Sequence, residues 1–302
     1  MRRNPDTPDK AVILDLGGVV MDRNQVNAPK LTNPGGPSSA LEHFDTIEHR
    51  LRDRQLALFT DYDGTLTPIV QRPEMAILSD ELRSQLQALA NQTTVAIISG
   101  RDLADVQHMV GLPSLYYAGS HGFDIAGPNN IRLQHKDAQP FLPDLDKAEI
   151  QLRDQLNHIA GARIERKRFA IAIHYREAAE QVVDTIKKTV DTVLNHYPQL
   201  RQRSGKKIFE IQPDIPWDKG RAIYWLLNQL GLNQPGVLPL YLGDDTTDED
   251  AFQALKNHGV SIYVGAPDKP TQADYFLQDP DEVKQFFQIL IQQLKRRPPN
   301  HG

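Results

Sequence analysis

The sequence predicts an α/β fold with a parallel central sheet, interrupted by a smaller α+β domain. Three observations carry that prediction. Apolar strand-like runs alternate with amphipathic helical stretches at both ends of the chain. Each of several strands ends directly in a cluster of acids, glycines or hydroxyls. Between about 123 and 212 the rhythm changes to helix, strand, helix, strand. Alternation of the first kind implies parallel strands covered by helices, and in such sheets ligands bind beyond the carboxyl ends of the strands.

The elements follow in order. Leu41 to Asp53 has Leu41, Phe44, Ile47 and Leu51 at three- and four-residue steps, which predicts a helix. Gln55 to Thr60 reads as a strand ending at Asp61. Ser79 to Asn91 reads as a helix with Ser79 as N-cap and Leu82, Leu86 and Leu89 as its stripe. Thr93 to Ile98 is a β-branched strand running into Ser99-Gly100-Arg101, and Asp102 to Val110 a short helix. Leu115 to Ala118 is a strand ending in Gly119-Ser120-His121-Gly122. In the middle section, 146–158 and 177–196 are helical, 162–175 is mostly strand, and 200–212 holds a basic turn and a further strand. The first rhythm then returns: helix 217–230, strand 237–242 with Gly243-Asp244-Asp245-Thr246-Thr247-Asp248 behind it, helix 249–257, strand 260–264 and a closing helix 281–296. The expected division is an N-terminal extension 1–54, a core in two parts at 55–122 and 213–302, and a cap at 123–212 between them.

The chain has 302 residues, 39% hydrophobic and 24% charged, with a formal charge of -5. That size fits two domains, or one carrying a large insertion. The mild negative balance gives no footing for nucleic acid. With no cysteine, disulfides, thiol nucleophiles and thiolate metal sites are excluded. No run reaches 18 apolar residues, and Met1 to Lys10 lacks the apolar core of a signal peptide, so the expectation is a cytoplasmic monomer without membrane contact. Lys295 to Gly302 reads as a frayed tail.

Chemistry concentrates at the strand ends. Asp61 and Asp63, two apart where a strand stops, can face one cation. Mg²⁺ takes oxygen ligands from a few carboxylates, water and phosphate. A carboxylate can also attack phosphorus directly. Gly64 permits a tight turn, and the Thr65 hydroxyl can donate to a phosphate oxygen. Asp244, Asp245 and Asp248 repeat the pattern. Three acids within five residues repel one another unless a positive charge sits among them, although an acidic start also suits the following helix. Asp244 is the one expected to face the ion, with Asp250 simply placing charge at the helix start. Ser99, Gly100 and Arg101 can surround a phosphate at a helix start. Lys219 lies where the helix dipole disfavours a cation, which a phosphate or a solvent-facing position would each explain. Glu165, Lys167, His174, Arg176, Lys206 and Glu210 suit either sugar hydroxyls or the solvated face of a sheet.

Taken together, DYDGTL at 61–66, ISGR at 98–101, the Lys219-Gly220 pair and GDDTTDEDAF at 243–252 resemble the haloacid dehalogenase-like (HAD) phosphatases, in that family's order. GSHGFDI at 119–125, ERK at 165–167, HYR at 174–176 and GKKIFEI at 205–211 are similar to its trehalose-6-phosphate phosphatase subgroup. The resemblance covers about 55–280. It implies a Rossmann-like core with an inserted cap, Mg²⁺ as cofactor, and hydrolysis of a sugar phosphate, trehalose 6-phosphate, through an aspartyl-phosphate. Asp61 would be nucleophile and metal ligand, and Asp63 the acid/base with its carbonyl on the metal. Asp244 would complete the metal ligands, supported by Asp245 and Asp248. Thr65, Ser99, Gly100 and Lys219 would hold phosphate. Arg101, His121 and the six cap residues would meet the sugar.

Two departures stand out. Gln212-Pro213 replaces an Arg-Pro pair, and an arginine fork is not replaced conservatively by glutamine. That keeps another compatible-solute phosphate, such as glucosylglycerol phosphate, in play. A non-catalytic sugar-phosphate sensor is the further alternative, although Asp61, Asp63, Lys219 and Asp244 are all present. AVILDLGGVVMD at 11–22 resembles a first motif whose second acid has become Gly17. Without that acid, Asp15 has no acid/base partner, so no second active site is expected there.

Overall fold

Leu56 to Thr60 and Val237 to Gly243 carry no charge, as strands covered on both faces require. In the computed structural model, which describes residues 36–296, they lie side by side and parallel at the centre of a nine-stranded sheet. The first half of the described chain runs β1 (Ser38–Ser39), α1 (Phe44–Leu51), β2 (Gln55–Thr60), α2 (Asp80–Ala90), β3 (Thr94–Ile98), α3 (Leu103–Val110), β4 (Tyr116–Gly119), β5 (Asp124–Ala126), β6 (Arg132–Gln134) and α4 (Leu142–Leu156). The second runs β7 (Arg163–Lys167), β8 (Ala170–His174), α5 (Glu180–Leu194), β9 (Leu200–Gly205), β10 (Ile208–Pro213), α6 (Lys219–Gln229), β11 (Val237–Gly243), α7 (Glu249–Leu255), β12 (Val260–Val264), β13 (Tyr275–Leu277) and α8 (Pro280–Lys295).

The large sheet has the order β1-β13-β12-β11-β2-β3-β4-β5-β6. It is parallel from β1 to β4, and β5 and β6 extend it antiparallel. Its alternate faces feed two apolar clusters. One holds Leu58, Leu238, Leu240 and Leu242 with α1, α2 and α8, and the other holds Phe59 and Tyr241 with α6 and α7. Ser79 caps α2 by accepting from Leu82 N–H, as its sequence position predicted.

The second sheet is antiparallel, in the order β7-β8-β10-β9. Its period of two sends Ile164, Ile171, Ile173, Phe209 and Ile211 to one side, under the apolar stripes of α4 and α5. Register places Glu165, Ala172, Glu210 and Arg203 in one row across the other side.

Several expectations change. The single strand expected over 162–175 is a hairpin. Its tip carries Phe169, fully buried in the large unit, with its ring centroid 5.8 Å from that of Phe123. Residues 124–134 pair with the large sheet, although the sequence division began the cap at 123. β1, β5, β6 and β13 have two or three residues each, too few to display a period. Residues 36–54 do not stand apart as an extension: β1 pairs with β13, and Phe44, Ile47 and Leu51 of α1 are core residues. The motif at 11–22 and the tail from 297 lie outside the described residues.

Candidate active site

Strands β2, β3 and β11 end together because they are parallel neighbours, and their polar clusters therefore meet. Asp61 follows β2 directly, with its N–H donating to Leu242 O at 2.9 Å. Asp244 follows β11. The turn after Asp61 passes so close that a Cβ on Gly64 would lie 2.0 Å from Asp244 Oδ2, and Gly64 also holds a φ of +85°. Only glycine meets both demands.

Beneath them lies a buried ion network. Lys219 Nζ, 2% exposed, donates to Asp61 Oδ1 at 3.0 Å and to Asp248 Oδ1 at 2.6 Å. Asp248 also accepts from the Tyr241 hydroxyl on the same oxygen, and from Asp244 N–H and Asp245 N–H on the other, both at 2.9 Å. Burial lowers the Lys219 pKa, but Asp248 and Asp61 outweigh it and hold the lysine well above the usual range. Burial also drives the Asp61 carboxyl well above its ordinary value. Lys219 opposes this, while Asp248, Asp244 and Asp63 add to it. Burial pushes Asp244 up to about 7 against the pull of Lys206.

Carboxylate oxygens of Asp61, Asp244 and Asp248 lie within 4.8 Å of one another, so this triad can hold a divalent ion. Asp248 has its lone pairs engaged by four donors, which leaves Asp61 and Asp244 as the carboxylates freer to ligate. The donor set is all oxygen, as Mg²⁺ prefers, and its crowded negative charge is what a cation relieves. The residues fit the metal.

Asp63 is held by a fork. Arg101 Nε and Nη2 donate to its two carboxylate oxygens, each at 2.7 Å, and Arg101 Nη1 reaches Asp105 at 2.8 Å. The guanidinium, 7% exposed, also lies over the Tyr62 ring. Arg101 thus addresses Asp63, and it also lines the cavity where a sugar contact was expected of it; a buried planar fork selects a carboxylate strongly. Ser99 turns back to accept from Arg101 N–H at 3.2 Å. Thr65 is fully buried, and its hydroxyl has no protein partner. Neither Ser99 nor Thr65 lines the cavity, whereas Gly100 does. A Cβ on Gly100 would come within 2.8 Å of the His121 ring, so that imidazole lies directly over it.

The small sheet supplies the opposite wall. Glu210, 5% exposed, accepts from Lys167 Nζ at 2.6 Å, and its second oxygen lies 2.6 Å from His121 Nε2, joining the two units. Burial would raise the Glu210 pKa, but Lys167 and His121 hold it far below the usual carboxylate range. Glu165 lies 2.7 Å from His174 Nε2, and that bond is the largest influence holding its carboxyl low. Arg176 lines the cavity and donates to Lys206 O at 2.9 Å; Lys206 itself donates to Asp244. Asp245 caps the turn at 246–248. The cavity measures ≈ 200 Å³, and a neighbour of ≈ 180 Å³ shares Gln71, His174 and Arg176 with it.

Two residues escaped sequence reasoning. Tyr241 is a polar-tipped aromatic in a strand otherwise without polar side chains; a buried hydroxyl needs a partner, and that was the available signal. Arg203 reaches Asp250 at 2.7 Å across the two units, so Asp250 does more than place charge at the start of α7. Gln212 is 1% exposed and does not line the cavity. With its amide oxygen turned toward β9, it accepts from Arg201 and Arg203 at 2.9–3.2 Å. Guanidinium groups therefore stand at that corner, from the neighbouring strand. Among the described residues no helix is long and apolar enough to cross a membrane.

The trehalose-phosphatase family model matches residues 59–281. The chain is 42% identical over 265 residues to a probable trehalose-phosphate phosphatase D of Arabidopsis thaliana, covering 84% of this chain and 72% of the relative. It is 39% identical to a trehalose 6-phosphate phosphatase of Zea mays, covering 86% and 76%. The C-terminal domain of the Candida albicans trehalose-6-phosphate phosphatase superposes with a TM-score of 0.73 at 25% identity, over 86% of this chain and 99% of that one.

Proposed function

We propose, from the premise that this chain belongs to the trehalose-phosphatase family of HAD phosphatases, that it hydrolyses trehalose 6-phosphate to trehalose and inorganic phosphate. The observation that carries the reading is the Asp61–Lys219–Asp248 network beside Asp244, opening onto a cavity walled by the polar face of the small sheet.

Asp61 is the nucleophile. Its carboxylate attacks phosphorus, the bond to the sugar oxygen breaks, and an aspartyl-phosphate forms. Lys219 keeps its proton and offsets charge on Asp61 and the phosphoryl oxygens. The Thr65 and Ser99 hydroxyls reach phosphate only through a local shift, since both are buried; the Gly100 backbone already faces the cavity. Asp63 gives a proton to the leaving oxygen and later takes one from the water that hydrolyses the intermediate. Its carboxylate must leave the Arg101 fork to do either. Asp61, Asp244 and the Asp63 carbonyl would hold Mg²⁺, which supplies charge neutralisation at the phosphoryl group. Asp245 and Asp248 hold the turn that carries Asp244.

On the cap side, Glu165, Lys167, His174 and Glu210 present paired acceptors and donors, which suit neutral hydroxyls. Together with the second cavity they suit a substrate larger than a monosaccharide phosphate. We assign the unit 135–213 as the cap. The test is phosphate release from trehalose 6-phosphate, glucose 6-phosphate and glucosylglycerol phosphate with Mg²⁺ and with EDTA. Trehalose 6-phosphate is expected to lead by kcat/KM, and EDTA to abolish turnover reversibly. A faster glucosylglycerol phosphate would replace the substrate and leave the chemistry standing. Binding without phosphate release would make the chain a sensor.

A further inference from the structure

Asp102 is the N-cap residue of α3, where an aspartate ordinarily accepts from the first amides of its own helix. Its side chain makes no such bond. Both oxygens are engaged elsewhere. Oδ1 accepts from the Ser120 hydroxyl at 2.9 Å and from Arg168 N–H at 2.9 Å, and Oδ2 lies 3.2 Å from the same amide. Ser120 belongs to the turn behind β4, and Arg168 to the tip of the β7–β8 hairpin. One carboxylate therefore ties the edge of the large sheet to the small one.

The residues beside those two partners converge a second time. His121 follows Ser120 and lies 2.6 Å from Glu210, and Lys167 precedes Arg168 and donates to Glu210 at 2.6 Å. Asp102 on one side and Glu210 on the other thus clamp the same two segments. His121, Lys167 and Glu210 line the cavity, whereas Asp102 does not. The turn also needs holding. Ser120 and His121 have φ values of +48° and +55°, a left-handed backbone that residues with a side chain adopt rarely and that persists only where its surroundings fix it. Their amides donate to Arg101 O and Ser99 O, which seats the turn on the large sheet. Asp102 adds the link from that turn to the cap hairpin. We propose that Asp102 is a positioning residue for substrate discrimination: it sets the spacing between the His121 turn and the Lys167 hairpin, and so holds Glu210 in place for sugar hydroxyls. The inference rests on the sugar-phosphate reading given above and reaches the substrate only through His121, Lys167 and Glu210. Without this carboxylate the Ser120 hydroxyl and the Arg168 amide lose their shared acceptor, and the two segments can move apart. A misplacement of about 1 Å in a group that orients substrate can cost up to roughly 100-fold.

The experiment compares kcat/KM for trehalose 6-phosphate and for para-nitrophenyl phosphate in the full chain. The proteins are wild type, Asp102→Ala, Asp102→Asn, Glu210→Gln and the double variant Asp102→Ala with Glu210→Gln, each first shown to melt cooperatively. Asp102→Ala is expected to lose roughly 10–30-fold on trehalose 6-phosphate and less than about threefold on para-nitrophenyl phosphate, which has no sugar to orient. Asparagine keeps a carbonyl oxygen where Oδ1 accepts from both donors, so Asp102→Asn should stay within about threefold of wild type on both. Residues that act through one group are not additive, so the double variant should fall no more than about threefold below the weaker single variant on trehalose 6-phosphate. Equal losses on the two substrates, additive losses in the double variant, or Asp102→Asn as poor as Asp102→Ala would each overturn the proposal and leave the substrate reading standing. If Asp102→Ala does not melt cooperatively, Ser120→Ala, which removes one donor only, carries the test: a loss of about 3–10-fold confined to trehalose 6-phosphate is expected, and no loss, or the same loss on both, would overturn it. Wild type that hydrolyses para-nitrophenyl phosphate but not trehalose 6-phosphate would remove the substrate reading and this proposal together.

Discussion

The two walls of the cavity are both charged and differ in balance. On the core wall, Asp61, Asp63, Asp244 and Asp248 face Lys219 and Arg101, and Arg101 is committed to Asp63 and Asp105. Negative charge is in excess, and the lysine drawn across from the cap does not remove it. On the cap wall, Glu210 is matched by Lys167 and His121, and Glu165 by His174. An excess of buried charge of one sign calls for a partner of the other sign. The cap wall pairs its two glutamates with Lys167, His121 and His174 and adds Arg176 beside them, a set of donors and acceptors suited to hydroxyls. Under the function proposed above, the difference divides the work: the core would hold metal and phosphate, and the cap would read the alcohol.

The contrast breaks first at Asp61. Asp61→Asn removes the attacking oxygen, and phosphate release should fall by about 10⁴-fold or more on every substrate alike. Radiolabelled phosphate should no longer be trapped on the protein. Label retained by that variant would move the nucleophile to another residue.

The cap wall should respond selectively. Glu210→Gln keeps an acceptor for Lys167 but loses the charge, so kcat/KM for trehalose 6-phosphate should drop by roughly 10–100-fold. Para-nitrophenyl phosphate, which lacks the sugar, should lose less than about threefold. Equal losses on both would erase the division of labour between the walls. The same residue sharpens the contrast through pH. Its folded pKa lies far below the ordinary 4.5, so the unfolded chain takes up the proton first as pH falls. The stability it contributes is complete above 4.5 and is lost as pH drops below that value toward the folded pKa. Melting temperature should therefore fall more steeply with acid in wild type than in Glu210→Gln, and parallel curves would show that the pair is not the cause.

The smallest effect is expected at Asp15, among residues that the structure does not describe. In the segment 11–22, Gly17 stands where a second acid would be needed, so Asp15→Asn should leave kcat unchanged within about twofold. A loss approaching that of Asp61→Asn, in protein still folded by circular dichroism, would place a further catalytic group in this segment.

Asp61, Asp63, Gly64, Lys219 and Asp244 were legible in the sequence because each stands at a strand or helix end within a short motif, and parallel strands bring such ends to one edge by topology alone. The long elements were legible for a related reason: α2 and α8 are long enough to show their period, and β2 and β11 to show an unbroken uncharged run. The two- and three-residue strands were not, and the hairpin at 163–174 was read as one strand because its turn carries no glycine or proline. The sequence by itself determined which chemistry was available: carboxylates for metal and nucleophile, no thiols, and a lysine near a helix start. Only the tertiary structure decided how those groups are paired. Arg101 turned to Asp63, Lys206 to Asp244, Tyr241 to Asp248 and Arg203 to Asp250, each across 7 to 47 residues of chain. A charged side chain reads in the sequence as a type, and its partner is fixed by burial, because a charge taken out of water accepts whichever opposite charge the fold brings within reach.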